Sequence, residues 1–159
     1  MRLITVNPNS WPSLAATLLH KAGDYRSCFI GVQETKIHAD DIQYNVAAAA
    51  ADGWQLFLNP CLKAARASAG VGFLTPIGAA VSVLKAEHVG IPIPQNARMG
   101  FWCVQAAFDS GFIAAVLYLK DIMGMTGLNL DVLNQAATYY APSGSPLSFS
   151  PIGTMCLTT

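Results

Sequence analysis

The side chains able to do chemistry in this chain are Glu34, Asn7, Asn9, Lys36 and Tyr118. Glu34 follows the apolar run Phe29-Ile30-Gly31-Val32 and Gln33. That run is too short for a helix and reads as a buried strand that stops at a charge. A carboxylate at the carboxyl end of a strand lies where open α/β sheets place their ligand crevices. There it either binds a hard cation through oxygen or caps the next helix. Asn7 ends an earlier strand-like run. Its amide can orient a carboxylate or bind a phosphate oxygen without adding charge, or it can close an Asx turn. Asn9 offers the same choice two residues later. Tyr118 closes a late strand, where its hydroxyl can hydrogen-bond a phosphate or its ring can sit in the core. Lys36 and Arg98 can touch a phosphodiester backbone or remain solvated. His38 reads as a helix-start residue, and His20 and His88 are assigned no role. Trp11, Trp54 and Trp102 are spaced as core aromatics.

The elements that must position these groups follow from local pattern. Arg2 to Val6 is β-rich and stops at the turn cluster Asn7-Pro8-Asn9-Ser10. Ser10 can cap a helix from Trp11 to about Lys21, with Pro12 tolerated in the first turn and Gly23 as its stop. The Phe29 strand comes next, so strand–helix–strand predicts a parallel pair with a right-handed crossover. Asp40 and Asp41 open a second helix that runs through the alanine block 47–51 to Gly53. Strand-like runs then follow at 54–59, 70–74, 80–84, 102–108 and 112–118. Asp109-Ser110-Gly111 predicts a tight hairpin between the last two, and Thr75-Pro76-Ile77-Gly78 predicts a turn joining an earlier pair. The stretch 90–99 carries two prolines and reads as loop, and 127–140 reads as a third helix with an apolar side. The class is α/β (α+β): β-α-β-α, then a β meander, then a helix.

Bulk composition narrows the partners. The chain has 159 residues, enough for one domain, with 53% hydrophobic and only 11% charged residues and no net charge. Soluble domains average about 25% charged residues, so polar covering is scarce. A neutral balance gives little of the non-specific pull on nucleic acid that Lys and Arg supply by counterion release; any DNA binding must come from a local site. No apolar run approaches the length of a membrane span, and the N-terminus carries no signal-peptide pattern. Cys28, Cys61, Cys103 and Cys156 show neither Cys-x-x-Cys spacing nor a zinc pattern with His. They read as reduced, buried thiols, and the expected location is intracellular.

The wording of the motifs adds a resemblance. Gln33-Glu34-Thr35-Lys36 after a short apolar strand resembles the second-strand motif of the endonuclease/exonuclease/phosphatase superfamily. That superfamily has a deoxyribonuclease-I-like fold and includes abasic-site endonucleases, exonuclease III and the endonuclease domains of non-LTR retrotransposons. Thr5-Val6-Asn7-Pro8-Asn9-Ser10-Trp11 is similar to its first motif, in which an asparagine ends strand one and a second Asn or Asp follows two residues later. Asp52-Gly53-Trp54 and Ser68-Ala69-Gly70-Val71-Gly72-Phe73-Leu74 resemble its third and fourth strands, with a small-Gly-Val-x-hydrophobic pattern. Tyr118 falls where many members carry an active-site tyrosine. The resemblance implies a catalytic Mg²⁺ or Mn²⁺ held by Glu34 with Asn7 beside it. It implies catalytic roles for Asn7, Glu34 and Tyr118, substrate contacts from Asn9 and Lys36, and nucleic acid (DNA) as the partner.

Departures from the pattern qualify those expectations. Members often read Tyr-x-Pro where this chain has Tyr118-Leu119-Lys120. The later Gly-Asp-x-Asn, second Asp and final Asp-His motifs do not occur in these 159 residues. The expected architecture is therefore the N-terminal half of a deoxyribonuclease-I-like α/β sandwich. It spans 1–141, a mixed sheet with helices on one face, and an irregular tail spans 142–159. Its second sheet face should be apolar and exposed, requiring a second half or a partner. The expected function is a truncated divalent-metal phosphodiesterase or endonuclease, inactive alone. The alternatives are a non-catalytic remnant serving at most as an interaction module, and a phosphoesterase acting on a small phosphorylated substrate. Read in a shifted frame, codons for 151–159 can spell Asp-Trp-Asn-His-Val-Pro-Asp-Asp. This makes a frame-shifted piece of a mobile-element endonuclease a further expectation.

Overall fold

A computed structural model describes residues 2–18, 28–61, 69–84, 97–105, 112–120, 124–140, 147–149 and 154–157. The first strands are β1 (Arg2–Val6), β2 (Cys28–Gln33), β3 (Trp54–Asn59) and β4 (Val71–Pro76). They form one sheet in the order β1-β2-β4-β3. β1 and β2 are parallel, with Val6 opposite Val32, so Asn7 and Gln33 come to the same end of the sheet, Gln33 still paired with Val71. β5 (Val81–Val83), β6 (Met99–Val104), β7 (Phe112–Leu117), β8 (Leu147–Phe149) and β9 (Thr154–Leu157) form a second sheet, ordered β5-β6-β7-β9-β8. The helices are α1 (Trp11–Leu18), α2 (Ile42–Ala51) and α3 (Leu128–Tyr140), with a 3₁₀ turn at Ala39–Asp41 leading into α2.

Period-two alternation places each strand residue. Cys28, Ile30 and Val32 on one face of β2 join Trp54, Leu56 and Leu74 beneath Trp11 and Leu14 of α1 and Ala49 of α2. The opposite face sends Phe29, Val71 and Phe73 against Trp102, Val104, Phe112, Ala114 and Val116 of the second sheet. On the outer face of that sheet, Met99, Phe101, Ala115 and Leu117 pack under Val132 and Ala136 of α3. The layers are helix, sheet, sheet, helix.

Three expectations change here. Helices cover both outer faces rather than one, because α3 packs on the second sheet. The apolar face expected to be open is covered by strands of the chain itself: Phe73 stacks on Trp102 with centroids 5.3 Å apart. The stretch 142–159, expected to be irregular, contributes β8 and β9, and β9 pairs antiparallel with β7 from Ala114↔Cys156 to Val116↔Thr154. The physical reason is common to the last two. β7 is apolar on both faces, so it needs a second sheet surface and a paired edge, and Thr154-Met155-Cys156-Leu157 is a short apolar run able to supply that edge. The turn at 75–78 joins the expected strands, β4 and β5, but these lie in different sheets, so it is a crossover and not a hairpin. The Asp109-Ser110-Gly111 hairpin lies outside the described residues, although β6 and β7 pair antiparallel up to Val104↔Phe112.

Gly100 on β6 makes room for Trp102, since a Cβ there would run into the indole ring. Gly100→Ala is expected to lower stability by about 1–3 kcal/mol through overpacking, read as a lowered urea midpoint with unchanged slope. The Cys61 and Cys103 thiols are both pushed above the ordinary value of 9.0, chiefly by burial, with Asp41 adding to the effect at Cys61. A raised folded-state value means that the folded chain keeps these protons when the unfolded chain releases them. Stability is therefore full at neutral pH and falls as pH rises past the ordinary thiol value. Urea midpoints measured from about pH 7 to about pH 10 should fall at the alkaline end, and less steeply in Cys61→Ala.

Candidate active site

The carboxyl ends of β1 and β2 bring the predicted residues to one end of the first sheet. β2 ends at Gln33, and the next residues turn through an unusual backbone: Glu34 has φ 51° and Lys36 φ 54°, with Thr35 buried between them. Left-handed conformations in residues with a Cβ cost about 1–2 kcal/mol each and persist where surrounding contacts over-determine them. Those contacts are backbone hydrogen bonds. Thr35 N donates to Gly70 O (3.0 Å), Lys36 N to Ala69 O (3.2 Å), and Trp11 N at the start of α1 donates to Thr35 O (3.1 Å). Gly70, at φ 82°, lies so close that a Cβ would meet Thr35 Oγ1, and would come within 3.2 Å of Lys36 N. The small-Gly-Val pattern at 69–71 thus has a structural cause: it lets one backbone press against the segment that carries Glu34.

Glu34 itself is half-buried, and the Tyr118 hydroxyl donates to its Oε1. The pair joins the two sheets, since Glu34 follows β2 and Tyr118 follows β7. Lys36 Nζ donates to Asn9 Oδ1 at 3.1 Å. Asn7 makes no hydrogen bond to Glu34; its Oδ1 accepts the Asn9 N–H at 3.3 Å, the Asx-turn geometry. The structure therefore pairs Glu34 with Tyr118 and Lys36 with Asn9, and leaves Asn7 in the turn beside them. His38 stands at the start of the 3₁₀ turn as expected. Its side chain does not cap that turn, and its Nδ1 lies 3.3 Å from Cys61 Sγ.

Other residues build the site in ways the sequence did not indicate: Asn59 and Asn129 were not singled out, and Gln33 and Arg98 were noted without these partners. Gln33 is buried, and its Nε2 crosses the sandwich to donate to Leu117 O at 2.6 Å, one residue before Tyr118. Asn59 Nδ2 does the same from β3 to Met99 O at 2.7 Å. Arg98 lies with its guanidinium carbon 5.4 Å from the centre of the Tyr118 ring, a cation–π distance, and its carbonyl accepts the Tyr118 N–H at 2.7 Å. Asn129, in the first turn of α3, is 3% exposed and holds Arg98 from the other side. An amide at a strand end or helix start is too common a feature to mark in a sequence. Only the facing strand reveals what it binds.

The described residues hold no cluster of three or more His, Cys, Asp or Glu side chains. What the geometry offers is one carboxylate with a free second oxygen direction, a tyrosine hydroxyl fixed on the first, and an amide-held ammonium on the neighbouring segment. That set can accept one hard cation and contact a phosphate, since Mg²⁺ is commonly held by one or two carboxylates plus water and phosphate oxygens.

Gly70→Ala should test how much of this depends on the close approach. It is expected to cost about 2 kcal/mol or more, from the left-handed φ and the clash together. Two-dimensional amide spectra should show the largest shifts at 34–36 rather than along β4.

No family model matches the sequence, and no curated protein does. Among solved structures, the crystal structure of the AP endonuclease LMAP from Leishmania major superposes with a TM-score of 0.51 over 89% of this chain, at 20% identity. The chain spans 45% of the length of that structure. At this identity the likeness is one of fold. The mixed α/β class and the two-sheet sandwich are those of a deoxyribonuclease-I-like domain.

Proposed function

We propose that these residues carry the metal-binding half of a divalent-metal-dependent phosphodiesterase acting on nucleic acid, with Glu34 as the ligand to Mg²⁺ or Mn²⁺. The observation that carries this reading is the Glu34 carboxylate, held at the end of β2 in a left-handed backbone and met by the Tyr118 hydroxyl from the other sheet. A bound divalent cation would supply charge stabilisation at a phosphate oxygen and at the leaving oxygen. The chain's own residues supply the rest. Glu34 offers its oxygens, and Asn7 an uncharged amide oxygen beside it. Lys36, steadied by Asn9, places a positive charge where a phosphodiester backbone would pass, and Tyr118 can turn its hydroxyl towards a phosphate oxygen. The superposition on an AP endonuclease favours nucleic acid as the substrate class.

The Asp-x-Asn and Asp-His motifs that would position an attacking water do not occur in the 159 residues. Lacking a positioned acid–base pair lowers rate by about 10²- to 10⁴-fold, so these residues by themselves should hydrolyse DNA at or near background. Among the described residues Glu34 belongs to no group of three or more His, Cys, Asp or Glu side chains, which favours a second reading, a folded remnant that binds no metal and serves as an interaction module.

Metal titration separates the two. Mn²⁺ binding followed by electron paramagnetic resonance should show one site, weakened at least ten-fold in Glu34→Gln. Plasmid nicking in Mn²⁺ should be weak and lost in the same variant. A titration showing no bound Mn²⁺ would leave the remnant reading in place.

A further inference from the structure

We infer that Asn129 is a positioning residue for the Glu34 site: a buried amide that fixes Arg98 against Tyr118 and so aims the Tyr118 hydroxyl at Glu34. This rests on the metal-binding reading of Glu34 and adds to it the device that orients the ligand.

The argument starts from the amide's hydrogen-bonding capacity. An asparagine side chain can accept two hydrogen bonds and donate two, and Asn129 makes all four. Its Oδ1 accepts from Arg98 Nη2 at 2.9 Å and from Lys120 N at 2.8 Å. Its Nδ2 donates to Lys120 O and to Gly124 O, both at 2.7 Å. With 3% of its surface exposed, no solvent shares these bonds. A saturated, buried amide has one orientation, because flipping it would point N–H groups at Arg98 and at the Lys120 N–H.

Its partners surround Tyr118. Lys120 is two residues beyond it, and Arg98 touches it twice, by the guanidinium over the ring and by the carbonyl on its N–H. Asn129 thus holds both the chain leaving Tyr118 and the cation against its ring. The departure at position 120 has a role here: a proline has no N–H, whereas Lys120 supplies the one that Asn129 accepts. Tyr118 in turn donates to Glu34 Oε1, which leaves the carboxylate's other oxygen to face a cation. Groups that hydrogen-bond a ligating carboxylate orient it, and their loss commonly weakens metal affinity by about 10- to 100-fold.

The test is a set of Mn²⁺ affinities on the full chain, each variant first shown to melt cooperatively. Glu34→Gln sets the scale for loss of the site. Tyr118→Phe and Asn129→Ala are each expected to weaken Mn²⁺ binding about ten-fold. The double variant should be no weaker than Tyr118→Phe alone, because the two act on one contact. Unaltered affinity in Asn129→Ala, with Glu34→Gln weakened, overturns the inference and leaves the metal reading standing. Losses that multiply in the double variant overturn it as well, since Asn129 would then act by another route. Unaltered affinity in Glu34→Gln removes the metal reading and this inference together. Should Asn129→Ala fail to fold, Arg98→Met keeps apolar volume under the ring while removing the cation and the Asn129 contact. The same outcomes then decide.

Discussion

Everything at the candidate site depends on two backbones pressed together where β2 ends and β4 begins. Thr35 and Lys36 donate their N–H groups to Gly70 and Ala69, and Gly70 lies too close to admit a Cβ. Glu34 and Lys36 are forced into left-handed conformations on either side of the buried Thr35, and Ala69 shares the same strained geometry at φ 65°. The cost of three such residues is several kcal/mol by the usual scale. It is offset by the sheet and the core that anchor both segments. A glutamate at a relaxed strand end would be free to sample rotamers and directions; this one is not.

The second constraint is the joining of the sheets. Each sheet alone would expose an apolar face, and the chain resolves this by packing Phe29, Val71 and Phe73 against Trp102, Val104 and Val116. Polar cross-links then set the alignment at the site end. Gln33 to Leu117 O and Asn59 to Met99 O are buried or half-buried bonds between elements far apart in sequence. A buried amide left without its carbonyl partner costs about 1–3 kcal/mol, so these bonds penalise sliding of one sheet over the other. Because Leu117 precedes Tyr118, the register that satisfies Gln33 also delivers the Tyr118 hydroxyl to Glu34.

Charge follows the same economy. With 11% charged residues and no net charge, the composition supplies little general attraction for a polyanion. The cations near the site are instead held individually: Lys36 by Asn9, Arg98 by Asn129 and the Tyr118 ring.

Much of this was legible in the residues. The parallel β1–β2 pair followed from strand–helix–strand spacing, the three helices from their caps, stops and alanine content, and Glu34 from an apolar run ending in a carboxylate. The glycine pattern at 70–72 was visible as a pattern, and only the facing segment shows the close approach that it permits. What the sequence left open is non-local. Whether Phe73 and Trp102 face solvent or each other depends on how β4 and β5 are divided between sheets, and period-two patterns look the same in both cases. The strand β9 was hidden because four apolar residues become a strand only when an unpaired edge, here β7, lies within reach. Gln33 was visible only as part of a motif, Arg98 only as a loop cation, and Asn129 not at all, because an amide or guanidinium acquires a role from the group it meets across the fold. Local propensity and periodicity determined the elements and placed a carboxylate at a strand end. Only the tertiary structure, by closing two sheets over shared apolar faces and pairing buried amides across them, decided which distant side chain that carboxylate would meet.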